Sequence, residues 1–150
     1  MDPQDAVAIL RNNRFIRSSA EATAFEAVLE SLPADPDESL LREMYLVLDD
    51  SCEQPEVMFS LIHLLESYPL RRQLSALAKA APQLTLHGSQ WLKTSLYRVL
   101  NDDAALASLA EVLDTIGSPA RAVLEKVLAE IGTEARFAHR AEMVLARKGA

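Results

Sequence analysis

Val112-Leu113-Asp114-Thr115-Ile116-Gly117-Ser118-Pro119-Ala120-Arg121 aligns at an offset of 15 with Val127-Leu128-Ala129-Glu130-Ile131-Gly132-Thr133-Glu134-Ala135-Arg136. Each copy ends an apolar helical pattern on a glycine. A hydroxyl residue follows, suited to capping the next helix. Glycine in that place predicts the left-handed residue after a helix. Turns this short force neighbouring helices antiparallel, so the pair reads as a helical hairpin of about 30 residues, near the period of helical solenoids.

The same punctuation runs back through the chain. Ser18-Ser19-Ala20-Glu21 is a capping-box pattern opening a helix with Ala22, Phe25, Val28 and Leu29 on one face. Asp35, Pro36 and Glu38 read as the N-cap and the first and third residues of the next helix, whose apolar face is Leu40, Leu41, Met44 and Leu48. Pro55 starts a helix with Val57, Met58, Leu61, Ile62 and Leu65, broken at Tyr68-Pro69. Leu70, Leu74, Leu77 and Ala81 stripe a further helix that Pro82 is expected to stop. After a loop containing Gly88, Ser89 is expected to cap the helix of Trp91, Leu92, Leu96, Val99 and Leu100. Asn101 is expected to cap that of Leu106, Leu109, Val112, Leu113 and Ile116. No run of β-branched and aromatic residues in two-residue alternation occurs. The expected fold is all-α: one domain over 1–150, a HEAT-like stack of about eight or nine short antiparallel helices.

Composition narrows the function. The 150 residues are 49% apolar and 25% charged, a globular mixture. A formal charge of −7 argues against general binding of nucleic acid or anionic membrane. There is no run of 18 apolar residues and no basic-then-apolar leader pattern, so a cytoplasmic chain is expected. The four glycines, at 88, 117, 132 and 149, leave no phosphate loop or dinucleotide fingerprint. The charge is uneven. Residues 1–70 carry 14 acids and 4 bases, a net of −10, whereas residues 71–150 carry 8 acids and 11 bases, a net of +3.

Few residues suggest chemistry. The single Cys52 excludes an internal disulfide. Its neighbours Asp49, Asp50 and Glu53 disfavour the thiolate a nucleophile needs. His63 and Glu66 share a helix face, but no further ligand motif exists to complete a metal site, so bonding to each other or to a neighbouring helix is the simpler expectation. The acid pair at Asp102 and Asp103 suits a helix N-terminus. Trp91 reads as a core anchor with Arg98 at its margin, Arg98 being a candidate partner for Glu66. Neither an enzyme nor a cofactor is expected.

Two stretches carry a resemblance: Val57-Met58-Phe59-Ser60-Leu61-Ile62-His63-Leu64-Leu65-Glu66-Ser67-Tyr68, and Trp91-Leu92-Lys93-Thr94-Ser95-Leu96-Tyr97-Arg98-Val99-Leu100-Asn101. Together they resemble the bacterial family called immunity protein 30, whose pattern is a helix with His and a Glu three residues on, a leucine-rich helix, and a Trp-led helix ending in Arg, Ile or Val, Leu, Asn. The corresponding scaffold residues here are His63, Glu66, Trp91, Arg98 and Asn101. One departure is Leu84 to Gln90, where the family pattern has an Ala-Pro-Glu-like entry. The resemblance implies a non-enzymatic protein that binds a cognate toxin domain and occludes its active site or an adjacent exosite. The acidic residues Asp35, Asp37, Glu38, Asp49, Asp50, Glu53 and Glu56 are the expected contact face, complementary to a basic toxin such as a nuclease. The alternative is a helical-repeat scaffold or adaptor that binds another protein or peptide.

Overall fold

A computed structural model describes residues 1–146. Among the described residues there are nine α-helices and no strand: α1 (Pro3–Asn12), α2 (Ser19–Leu29), α3 (Glu38–Tyr45), α4 (Pro55–Glu66), α5 (Leu70–Leu84), α6 (Ser89–Leu100), α7 (Asp103–Thr115), α8 (Ala120–Ile131) and α9 (Ala138–Leu145), with a 3-10 turn at Ala135–Phe137. The odd-numbered helices lie side by side, each packed on the next, and form one layer. In the second layer α2 packs on α4 and α6 on α8, while α4 and α6 stand further apart. This is the two-layer arrangement of a helical array. α5 is its centre, touching α3, α4, α6, α7 and α8. Gln73, Leu74, Ala76, Leu77, Ala78, Ala80, Ala81 and Leu84 of α5 are all buried, the alanines allowing neighbours to approach closely.

Caps formed by local chemistry fall near their sequence positions. Ser18 accepts from the Glu21 amide (3.1 Å) and Glu21 accepts in return from the Arg17 amide (3.0 Å), a capping box closed one residue early. Several boundaries need correction. Asp37, not Asp35, caps α3, its carboxylate accepting from the Leu40 amide at 2.8 Å. Leu48 lies beyond the end of α3, buried in the following loop. Pro82 does not stop α5 but sits inside it, because burial of Ala80, Ala81 and Leu84 carries the helix one turn further. Asn101 ends α6 and Asp102 caps α7, accepting from the Ala105 amide at 3.0 Å.

The repeated glycines do not act as read from sequence. Neither Gly117 nor Gly132 adopts a left-handed φ, Gly132 having φ −63°. Nor do Ser118 and Thr133 cap: α8 starts without a side-chain cap, and the Thr133 hydroxyl donates back to the Glu130 carbonyl at 2.7 Å. The one left-handed non-glycine residue among those described is Ile16 (φ 48°), which is fully buried.

The connections fall on two edges. On the first, the loops after α1, α3 and α5 are joined: the Glu53 amide donates to the Phe15 carbonyl (2.8 Å), Gln54 Nε2 to the Ile16 carbonyl (3.2 Å), and the Asp50 amide to the His87 carbonyl (2.8 Å). On the opposite edge, the Tyr68 hydroxyl donates to the Pro33 carbonyl at 3.2 Å, joining the turns after α2 and α4.

Candidate functional site

The acids nominated from sequence separate into two groups at opposite ends of α3, about 12 Å apart at 1.5 Å per residue. Asp35, Asp37 and Glu38 lie at its start, on the second edge. Asp49, Asp50, Glu53 and Glu56 follow its end, on the first edge. They do not make one continuous face.

Partners differ as well. Asp35 pairs with Arg72, tying the turn before α3 to α5, and Glu38 pairs with Lys79 (2.9 Å) and accepts from the Ser75 hydroxyl, bridging α3 to α5. The Ser75 and Lys79 hydrogen bonds hold the Glu38 carboxyl below its ordinary pKa. Asp37 is spent on its cap. Asp49 is only 5% exposed: it accepts from the Ser51 amide (2.8 Å) and from Arg14 Nε (3.3 Å), and its backbone carbonyl accepts from Trp91 Nε1 (2.9 Å). Such a carboxylate braces the interior and shows little surface of its own.

The remaining three stand differently. Asp50, Glu53 and Glu56 are exposed, and none is paired with a base among the described residues. Asp50 reaches across to the N-terminus of α6, accepting from the Gln90 amide (3.1 Å), the Trp91 amide (3.3 Å) and the Ser89 hydroxyl (3.2 Å). Ser89, expected to cap α6, is instead its first residue, and the cap comes from a loop forty residues earlier in the chain. The sequence contained no signal for that, since an N-cap is recognised by its proximity to the helix it caps.

Between α4 and α6 these loops leave a notch of about 220 Å³, lined by Asp50, Cys52, Pro55, Phe59, Trp91 and Thr94 among others. The Phe59 and Trp91 rings meet edge to face with centroids 5.1 Å apart. Trp91 is buried, as the core reading expected, and Phe59 is half-buried. Burial pushes the Cys52 thiol up, and the nearby Asp49, Asp50 and Glu56 carboxylates add to this. A thiol so placed is a poor nucleophile.

The scaffold residues from the resemblance divide between two places. Glu66 and Arg98 form a bidentate pair (2.7 and 2.8 Å) that ties α4 to α6 near the second edge. With Asn101 they line an open cleft of about 400 Å³. His63 does not join Glu66. It is exposed, with its ring 6.1 Å from that of Phe59. Below the cleft, Gln73 is buried and donates to the Glu66 and Tyr68 carbonyls (3.3 and 2.8 Å), fastening the α4–α5 turn. No group of three His, Cys, Asp or Glu residues among those described could hold a metal ion. No described helix is long and apolar enough to cross a membrane.

Comparison with known families finds a match to the model described as Immunity protein 30 over residues 12–109, about two-thirds of the chain. The match spans α2 to α6 whole, with parts of α1 and α7, and so includes both edges. No curated protein and no solved structure matches the chain.

Proposed function

Because the chain belongs to the Immunity protein 30 family, we propose that it binds one cognate bacterial toxin domain in the cytoplasm and neutralises it by covering the toxin's active site or an adjacent exosite. The observation that carries this reading is the family match over 12–109. The protein acts as a binding surface, without catalysis of its own.

The contact is made through carboxylates that the fold leaves without a base. Asp35 and Glu38 are neutralised by Arg72 and Lys79, and Asp49 is withdrawn into the interior. Asp37 lies apart at the start of α3, and Asp50, Glu53 and Glu56 stand together on the first edge, Asp50 also serving as the cap of α6. They fit a basic toxin such as a nuclease, because complementary charge speeds encounter and disfavours wrong partners.

Co-expression with the product of the neighbouring gene, where this reading expects the cognate toxin, is the test. Cells should survive only when the wild-type chain is present, and the two proteins should co-purify. Reversing Asp50, Glu53 and Glu56 to lysine should slow association and weaken its dependence on salt. Survival without this chain, or no complex with it, would refute the proposal.

A further inference from the structure

We propose that the notch between the first turns of α4 and α6 is the anchor point of the toxin complex, taking one arginine side chain from a basic toxin surface. This rests on the toxin-binding reading and adds where contact is made and by what chemistry.

Size comes first. At about 220 Å³ the notch is smaller than the roughly 300–1,000 Å³ typical of small-molecule sites. It suits one inserted side chain. The walls are aromatic and apolar, from Pro55 and Phe59 on α4 and Trp91 on α6. They are also rigid. Trp91 is held by its indole N–H to the Asp49 carbonyl, and Phe59 is held by its edge-to-face contact with Trp91. With the indole N–H already bonded, these rings offer the occupant aromatic surface and no free donor.

Charge then selects the occupant. Asp50 lines the notch. Glu56 lies one helical turn before Phe59 and therefore on the same side of α4. It also acts electrostatically on the Cys52 thiol that lines the notch, as Asp50 does. Glu53 adjoins Cys52. Among the described residues none of these three carboxylates has a base partner, although Asp50 accepts from the α6 N-terminus, whereas Asp35, Glu38, Glu43, Asp49 and Glu66 are each paired with a base. An anion is repelled from such a rim. A purely apolar side chain would bring the carboxylates out of water without pairing them. Arginine meets both requirements: its planar guanidinium lies against aromatic rings and pairs with carboxylates in a bidentate fork. Buried arginines of this kind are among the commonest interface hot spots.

The probe is the toxin domain encoded beside this gene, titrated by calorimetry against wild type and variants whose folding is checked by thermal melting. The paired change Glu53→Gln with Glu56→Gln should raise Kd at least tenfold. Thr94→Arg should do the same by placing the chain's own guanidinium in the notch. Phe59→Ala should also weaken binding, and if that variant fails to fold, Thr94→Arg carries the test. Glu111→Gln, on α7 away from the notch, changes the net charge by the same one unit as Thr94→Arg and should keep the wild-type Kd. If wild type binds and both the paired Gln variant and Thr94→Arg stay within twofold of it, this inference is overturned while the toxin-binding reading stands. If wild type does not bind, both fall.

Discussion

The Glu66 carboxylate on α4 receives two hydrogen bonds from the Arg98 guanidinium on α6, at 2.7 and 2.8 Å. These helices otherwise stand apart, so the pair closes one end of the gap between them while Phe59 and Trp91 close the other. Both partners are more than a third exposed, which limits the pair's contribution to about 1 kcal/mol or less. A double-mutant cycle with Glu66→Ala and Arg98→Ala should give a coupling of that size, shrinking in 1 M salt. A coupling above about 3 kcal/mol would mean that the pair behaves as a buried one.

Two glycines should respond oppositely to alanine. A Cβ at Gly88 would sit 2.6 Å from the Leu48 carbonyl oxygen and 2.6 Å from Leu84 Cδ1. The carbonyl belongs to backbone and cannot swing aside, so Gly88→Ala should cost about 1–3 kcal/mol by chemical denaturation. At Gly117 a Cβ meets nothing within 4 Å and φ is not left-handed. Gly117→Ala should leave stability unchanged or raise it by up to about 1 kcal/mol, by narrowing the unfolded ensemble.

Ile16 sets two effects against each other. Its left-handed φ of 48° costs roughly 1–2 kcal/mol for a residue with a Cβ. Its side chain is fully buried, and truncating a buried isoleucine to alanine costs about 2–5 kcal/mol. Burial is the larger effect, so Ile16→Gly should destabilise despite relieving the backbone. A melting temperature equal to or above wild type would show that strain dominates.

Glu38 links stability to pH. Its pKa is lowered in the folded state by the Ser75 and Lys79 hydrogen bonds. The stabilisation is therefore present above the ordinary carboxylate pKa of 4.5 and is lost as pH falls below it through the folded value. Glu38→Gln should destabilise at pH 7 and converge on wild type in acid. Parallel stability curves from pH 7 to pH 3 would rule this out.

Cys52 should react slowly with iodoacetamide at pH 8, more slowly than an unhindered thiol. Burial first, and the surrounding carboxylates second, raise its pKa. Unfolding in urea should restore the ordinary rate.

Reading from sequence succeeded where the physics is local. Ser18 and Glu21 announce α2 because a cap binds amides two or three residues away, and the apolar stripes of α4 and α6 point inward because helical period alone sets which residues share a face. It faltered at helix ends, where burial outweighs a local preference. Pro82 remains inside α5 because Ala81 and Leu84 are buried, and Gly117 and Gly132 need no left-handed turn. Of the partners the sequence offered Glu66, the structure takes Arg98 across the gap, while His63 on the same helix stays exposed.

By itself, the sequence determined an all-α chain, the placing of most helices, Trp91 as a core anchor and the concentration of acids in the first half. Only the tertiary structure decided what those acids do. A carboxylate's availability depends on the charges brought beside it in space, and Arg72 and Lys79 lie far along the chain from Asp35 and Glu38. Folding neutralises those two, buries Asp49 and uses Asp37 as a cap. It gathers Asp50, which caps α6, with Glu53 and Glu56 beside an aromatic notch, none of the three paired with a base among the described residues, a juxtaposition set by the packing of α3, α4 and α6.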